Sequence, residues 1–252
     1  LISFVRDMGC VDHFGYTSLL KKSYNSPFAL INKKRILRLL SRSDLVISNS
    51  KYIRNRCRMY GINSEYVYPF IEKDKYRFDS RGDGNVITMI SAYLNRHKGV
   101  DIFLDIAKRL PECEFFLIGR LTGDIGEIPK NVVYWGWLDD ITKALSRTKI
   151  LVVPTRDSEA FGRLPIEAGF CRIPSIASDK GGLKESVGDG GILIEDIDSI
   201  DLWVKHIDLL VNNDRVYRSF SEKAYQNAVL FYKNDSYSRF RQIVKDKLSI
   251  DL

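Results

Sequence analysis

Two glutamates, Glu159 and Glu167, stand eight residues apart in SEAFGRLPIEAG and bracket a turn that runs into a helix. Phe161-Gly162-Arg163 crosses the turn, and Pro165 follows where the helix begins. Proline suits a first helical turn, because its missing N–H has no intrahelical acceptor there. Gly162 lets the backbone approach a ligand with no Cβ in the way. Backbone N–H groups at a helix start, with the positive end of the dipole, receive anions. A carboxylate on either side of such a cradle suits hydroxyl recognition, which points to a sugar or a ribose beside a phosphate. The same residues also fit an ordinary buried turn between strand and helix, with glutamates on its solvent face.

The elements around these residues alternate. Val86–Ser91, Glu114–Ile118, Asn131–Tyr134, Lys149–Val153, Pro174–Ala177 and Gly191–Ile194 are expected strands. Helices are expected over Val100–Leu110, Asp139–Ser146, Leu164–Phe170, Ile200–Asn212 and Asp214–Phe231. Short apolar runs alternating with helices predict a parallel sheet covered on both faces. Ligands of such sheets sit at the carboxyl ends of the strands. Lys98, Gly119, Gly136, Glu159 and Gly181 each follow an expected strand, so they line one edge. Earlier in the chain, LISFV, DLVISNS and EYVYP read as strands, and Lys51–Tyr60 as a helix closed by Gly61. Pro27 opens a helix to about Arg42, with Ile36, Leu37, Leu39 and Leu40 on one side and Lys34, Arg35, Arg38 and Arg42 on the other. Ile71–Asn85 is charged and aperiodic, a linker between an amino-terminal part, 1–72, and a larger domain, 73–232. A terminal helix, DSYSRFRQIVKDKL, belongs to 233–252.

At 252 residues the chain can bury one core or two, and 44% apolar with 28% charged residues is a globular balance. No run approaches the ~20 apolar residues of a membrane span. No stretch has the basic start and long apolar centre of a signal peptide. The first residue is not Met, which reads as a processed or trimmed chain. Cys10, Cys57, Cys113 and Cys171 are isolated from one another and from histidine, so they read as free buried thiols in a reducing, cytoplasmic setting, and no metal site is expected. The net charge of +7 is uneven: Lys21–Arg58 holds eleven Lys or Arg against one acid, Asp44. Such a block is either a solvated face or a surface for an anionic partner: acidic lipid, nucleic acid or phosphate.

The order NRHKG, IG, a glycine after the third strand, SEAFGRLPIEAG and then SDKGGLKE resembles the nucleotide-sugar domain of retaining glycosyltransferases of family 4. The resemblance runs from about Asp44 to the C-terminus. It implies a GT-B fold of two Rossmann-like α/β domains, the first only partly present. It also implies transfer of a hexose from a nucleotide diphosphate sugar to a lipid, glycan or protein acceptor, with no cofactor and no metal. Glu167 looks like the glutamate that holds the donor ribose, and Glu159 like the one facing the transferred sugar. Lys98 matches the lysine on the diphosphate, with Glu159 and Lys98 as the catalytic pair. Backbone at Phe161, Gly162, Arg163 and Leu164 would receive the pyrophosphate or sugar, and that at Gly136–Leu138 the base. Gly181 and Gly182 would close the far side.

The chain departs from the family pattern where the donor-binding arginine is expected five residues before the lysine; Tyr93 stands there, and Arg96 is the alternative source of charge. Phe70-Ile71 replaces the usual Asn-Gly after Pro69. Arg6 and Asp7 sit where relatives often carry a His-Asp pair near the acceptor, and His13 is a second acceptor-side candidate. Two further readings stay open. One is a donor-binding subunit or fragment whose acceptor half comes from a homo- or hetero-oligomeric partner. The other is a basic membrane- or nucleic-acid-binding module built on Lys21–Arg58, which would place the chain peripherally at an anionic membrane.

Overall fold

A computed structural model describes residues 1–6, 27–76, 84–233 and 235–250, over 27–33 and at 233 by their backbone. The chain divides into two compact units, Leu1–Phe70 with Asn234–Leu252, and Ile71–Lys233. Each is a parallel α/β structure.

The first unit holds a three-stranded parallel sheet, β1 (Ile2–Val5), β2 (Leu45–Ser48) and β3 (Glu65–Tyr66), in the order β1-β2-β3. Its helices are α1 (Pro27–Ser41), α2 (Lys51–Met59) and, from the C-terminal end, α9 (Ser236–Leu248). β2 is buried at all four positions, as a central strand covered on both faces must be. Leu45 and Ile47 pack with Ile243 and Val244 of α9. Ser50 caps α2, its side-chain oxygen accepting from the Ile53 N–H. On α1, Leu40 is buried and Ile36 and Leu37 are partly covered, but Leu39 is 61% exposed. Leu39 sits at the margin of the apolar arc, one turn from Arg35 and from Arg42, so the core does not reach it.

The second unit carries β4 (Val86–Leu94), β5 (Glu114–Leu121), β6 (Val132–Gly136), β7 (Ile150–Val153), β8 (Ser175–Ser178) and β9 (Gly191–Ile194). They form one parallel sheet in the order β6-β5-β4-β7-β8-β9. The chain therefore runs outward from β4 through β5 and β6, then returns to β7 on the other side of β4. That reversal makes the β4–β7 boundary a topological switch point, where the loops at the carboxyl ends part and leave a crevice. Helices α3 (Val100–Arg109), α4 (Thr142–Leu145), α5 (Leu164–Phe170), α7 (Ile200–Asn212) and α8 (Asp214–Lys233) follow the expected pattern. α6 (Leu183–Val187) follows Gly181-Gly182 where no helix was expected; its five residues are too few to show a period. The core joins Ile87 and Met89 of β4, Phe115 and Leu117 of β5, and Ile150 and Val152 of β7 to Phe103, Ile106, Trp203, Ile207 and Leu210 of the helices.

β4 runs three residues past its expected end, to Leu94, by way of an irregularity between Ile90 and Tyr93. Gly119 on β5 permits it: a Cβ there would lie 1.8 Å from the Ser91 carbonyl oxygen. The expected linker also contains structure. Lys73–Tyr76 forms a 3₁₀ turn that buries Tyr76.

Candidate active site at the sheet switch point

After β4, the residues Arg96–Lys98 form a single 3₁₀ turn. Asn95 caps it, its side-chain oxygen accepting from the Lys98 N–H at 3.1 Å. Gly99 ends the turn with φ +76°, and a Cβ there would fall 1.9 Å from the Pro154 carbonyl oxygen. The glycine of the KG pair is thus required by close approach to the segment after β7. That segment is tied back to the turn, because the Arg156 N–H donates to the His97 carbonyl at 2.8 Å. The Arg156 guanidinium grips Asp101 with two bonds, 2.7 and 3.0 Å, and also donates to the Arg96 carbonyl at 2.8 Å and to Asp198 at 3.0 Å.

This clamp brings Lys98 and Glu159 together. Lys98 Nζ lies 2.5 Å from Glu159 Oε1 and 4.0 Å from Asp157 Oδ2. The two side chains keep 29% and 28% of their surface exposed, so the pair is sheltered yet open to solvent. Glu159 is held from behind by the DKGG turn. The Gly182 N–H donates to the Glu159 carbonyl at 2.7 Å, and a parallel bridge joins Glu159 to Gly181. A Cβ on Gly181 would sit 2.2 Å from the Glu159 carbonyl oxygen, and one on Gly182 2.3 Å from that of Ala160. These glycines serve a backbone contact within the protein. Gly162 differs: its φ is +77°, and an added Cβ would meet a methyl of the Leu183 side chain at 2.6 Å.

Glu167 lies on α5, one helical turn past Arg163, and only 6% of it is exposed. Arg163 Nη2 donates to Glu167 Oε1 at 2.9 Å, and the Tyr76 hydroxyl bonds to the same carboxylate. Burial raises the proton affinity of Glu167, with Arg163 and Tyr76 pulling the other way. Burial and the adjacent Glu167 charge hold the Tyr76 phenol protonated well above its ordinary range. Cys171, four residues on, is pushed up to about 12 by burial and by Glu167, and its Sγ contacts the carbonyls of Tyr76 and Glu167. A carboxylate offers about four lone-pair positions, so Glu167 retains accepting capacity beyond these two partners.

The remaining expected site residues fall in different surroundings. Phe161 is buried, its ring 5.3 Å from that of Phe231, so it offers only backbone. Leu164 is the first residue of α5, whose N-terminus carries no side-chain cap. Gly136 ends β6 with φ +69°, and Leu138 packs beside Val86 and Phe116. Arg96 is 83% exposed and pairs with Asp101 at 3.3 Å, away from the Lys98–Glu159 contact. Asp101 captures it because the same carboxylate anchors the turn through Arg156. Tyr93 is exposed and in register with Arg120 on β5, whose guanidinium stacks 4.5 Å from the Trp137 ring. Arg6 follows β1, its carbonyl accepting from Asn49 at 2.8 Å, while Asp7 and His13 lie outside the described residues. Tyr76, Arg120 and Arg156 escape a motif search, since none belongs to the ordered glycine-and-acid pattern. An aromatic residue inside the charged stretch IEKDKYRFDSRGDGN was the one signal for Tyr76.

Among the described residues, no three His, Cys, Asp or Glu side chains are grouped to hold a metal ion, and no helix is long and apolar enough to cross a membrane.

A model of the glycosyl transferases group 1 family matches residues 70–227, which takes in the whole of this site. The chain belongs to that family. An uncharacterized glycosyltransferase of Methanocaldococcus jannaschii is 32% identical over 203 residues, covering 71% of this chain and 53% of that protein. A GDP-mannose-dependent alpha-(1-6)-phosphatidylinositol monomannoside mannosyltransferase of Mycolicibacterium smegmatis is 23% identical over 209 residues, covering 68% and 54%. The chain spans about half the length of these relatives. Among solved structures, Anabaena HepE in complex with UDP and glucose superposes with a TM-score of 0.80 at 19% identity, over 99% of this chain and 72% of that one. That likeness bears on the fold, which is that of GT-B glycosyltransferases.

Proposed function

We propose that this group 1 glycosyltransferase chain binds a nucleotide diphosphate sugar in its second unit and transfers the hexose, with retention, to a lipid, glycan or protein acceptor. One observation carries the reading: Lys98 and Glu159 follow the two strands that flank the switch point, β4 and β7, and meet at 2.5 Å. An open α/β sheet takes its ligand at that place. A cation and a carboxylate side by side there suit a substrate that is anionic at one end and hydroxylated at the other.

In this reading Lys98 neutralises the diphosphate, and Arg120 at the same sheet edge supplies charge near the position where Tyr93 replaces the family arginine. Fixed charges aimed at a leaving group commonly supply the largest share of a rate gain. The C1–O bond to the diphosphate breaks with its electron pair going to phosphate. The acceptor hydroxyl then bonds to C1 on the same face, and its proton passes to a leaving phosphate oxygen. Glu159 orients the sugar hydroxyls and balances the positive charge that develops at C1. Glu167, buried and held by Arg163 and Tyr76, receives the ribose hydroxyls through its remaining lone pairs. The backbone from Gly162 to Leu164 approaches the phosphates. α5 spans only seven residues, so its N–H groups contribute more than its dipole. Backbone at Gly136–Leu138 meets the base. No cofactor takes part; the nucleotide sugar is a substrate.

Calorimetric titration of UDP and of GDP tests the reading. One of the two is expected to release heat and raise the thermal midpoint. Absence of both effects for both nucleotides overturns it.

A further inference from the structure

The first unit holds a second cluster of charge that the donor site leaves unused. Tyr66, the last residue of β3, is in register with Ser48, the last residue of β2. Its ring therefore stands at the carboxyl edge of that unit's sheet. Three cations converge on it: the Arg239 guanidinium at 4.5 Å from the ring centroid, that of Arg54 at 4.8 Å and Lys51 Nζ at 5.8 Å. Lys51 and Arg54 come from the first turn of α2, and Arg239 from the first turn of α9.

The two guanidiniums over one ring favour a counter-charge, because like charges gathered at one place repel. Among the described residues, the acids next to Tyr66 and to α9 in the chain are committed elsewhere. Glu65 pairs with Lys247 at 3.5 Å, and Asp235 caps α9 through the N–H groups of Tyr237 and Ser238. Among the described residues, neither Arg54 nor Arg239 pairs with a carboxylate. Both guanidiniums are also held in place. Each lies over the Tyr66 ring, and Arg239 Nε donates to the Tyr66 carbonyl at 2.9 Å. Among the described residues nothing else takes the terminal nitrogens of Arg239, which can face a ligand. Tyr68 braces the ring edge-on at 5.2 Å. A planar arginine fork that is already oriented loses less freedom on binding, and it matches the oxygens of a phosphate. The exposed Lys34, Arg35, Arg38 and Arg42 on α1 belong to the same basic block but have no aromatic scaffold among the described residues, and they serve as the internal comparison.

We propose that Lys51, Arg54 and Arg239 around Tyr66 form a phosphate-binding site, and that it receives the phosphate group of an acceptor. Describing the bound molecule as an acceptor rests on the glycosyltransferase reading above; phosphate binding itself does not. The phosphate belongs either to a lipid headgroup or to a soluble phosphate ester.

Inorganic phosphate is titrated into the ¹⁵N-labelled protein at constant ionic strength. The amides of Lys51–Arg54, Tyr66 and Arg239 are expected to shift together. Loss of a charge-assisted contact weakens binding about tenfold or more, so R54Q/R239Q weakens the phosphate response by at least that factor and R35Q/R38Q leaves it unchanged. R54K, which keeps the charge and loses the fork, falls between wild type and R54Q. Cosedimentation with phosphatidylcholine vesicles, with and without phosphatidylglycerol, separates the sources. Binding to the anionic vesicles that fails in R54Q/R239Q assigns the site to a headgroup, and phosphate shifts without vesicle binding assign it to a soluble ester. Wild-type amides that do not respond, or a response that persists in R54Q/R239Q, overturn the proposal. UDP titrated into the same proteins keeps the two readings apart. UDP binding with no Arg54- and Arg239-dependent phosphate response removes only this site, and the converse removes only the donor assignment.

Discussion

At the scale of single residues, the two glutamates that looked alike in sequence occupy opposite environments. Glu159 is part exposed and paired with Lys98, whereas Glu167 is buried among Arg163, Tyr76 and Cys171. Glu167→Ala is therefore expected to weaken nucleotide binding, while Glu159→Ala spares it and abolishes transfer. Equal losses of nucleotide affinity by calorimetry would refute the division of roles. The buried acid also has a stability consequence. Its folded form holds a proton more tightly than the unfolded chain does, so its contribution is lost as pH rises above the ordinary glutamate value of 4.5. Glu167→Gln should consequently leave the thermal midpoint at pH 7 equal to or above that of the wild type and flatten its decline above pH 4.5, even as it weakens nucleotide binding. A midpoint several degrees lower contradicts this. Arg156 acts through others: it fixes the turn bearing Lys98. Arg156→Lys removes the two-pronged grip on Asp101 and should cost about 1–3 kcal/mol of stability, with weaker nucleotide binding as the readout of the displaced turn.

At the scale of elements, the site depends on how closely two loops approach. Gly99 and Gly126 share nearly the same backbone conformation, φ +76° and +78°, but only Gly99 has a neighbour in the space a Cβ would take. Gly126→Ala should cost only the left-handed strain of about 1–2 kcal/mol. Gly99→Ala adds a clash with the Pro154 carbonyl, so it should cost clearly more by urea denaturation and should also impair nucleotide binding. Equal costs for the two would show that the β4 and β7 loops adjust freely. The elements themselves were largely legible. Short apolar runs marked the strands of the second unit; those inside the sheet are apolar because both their faces are covered, whereas edge strand β6 leaves Val133 and Tyr134 exposed. Their limits were less so. The extension of β4 depends on a bulge that Gly119 makes room for, and α6 depends on packing after a tight glycine turn. Neither leaves a period in the sequence.

At the scale of the molecule, two sheets of different size share one chain. Among the described residues, the first unit packs a small cluster around Leu45, Ile47, Ile243 and Val244, and the second a much larger one. Stability grows with buried apolar area, so the first unit is expected to open at lower urea. The cysteines report this. Cys57 lies in the first unit and Cys113 and Cys171 in the second, and all three are buried free thiols. Burial pushes Cys113 up to about 11, chiefly by desolvation, so thiolate forms only on opening. With alkylation sites mapped by mass spectrometry, none of the three should react in the native protein, and Cys57 should react at lower urea than the other two. Simultaneous reaction would mean that the units open as one.

The sequence by itself determined the fold class and the family, because both rest on local periodicity and on glycines and acids at fixed intervals. The acids and the lysine of the candidate site stood out for the same reason. What only the tertiary structure decided is which of them meet. Strand order, a property of long-range pairing, sets the switch point between β4 and β7 and so brings Lys98 to Glu159. It also brings Tyr76 from an apparent linker to Glu167, and it packs Gly162 against Leu183 and Gly181 and Gly182 against the Glu159–Ala160 backbone. Each outcome depends on residues far apart in the chain, and no interval along the sequence records it.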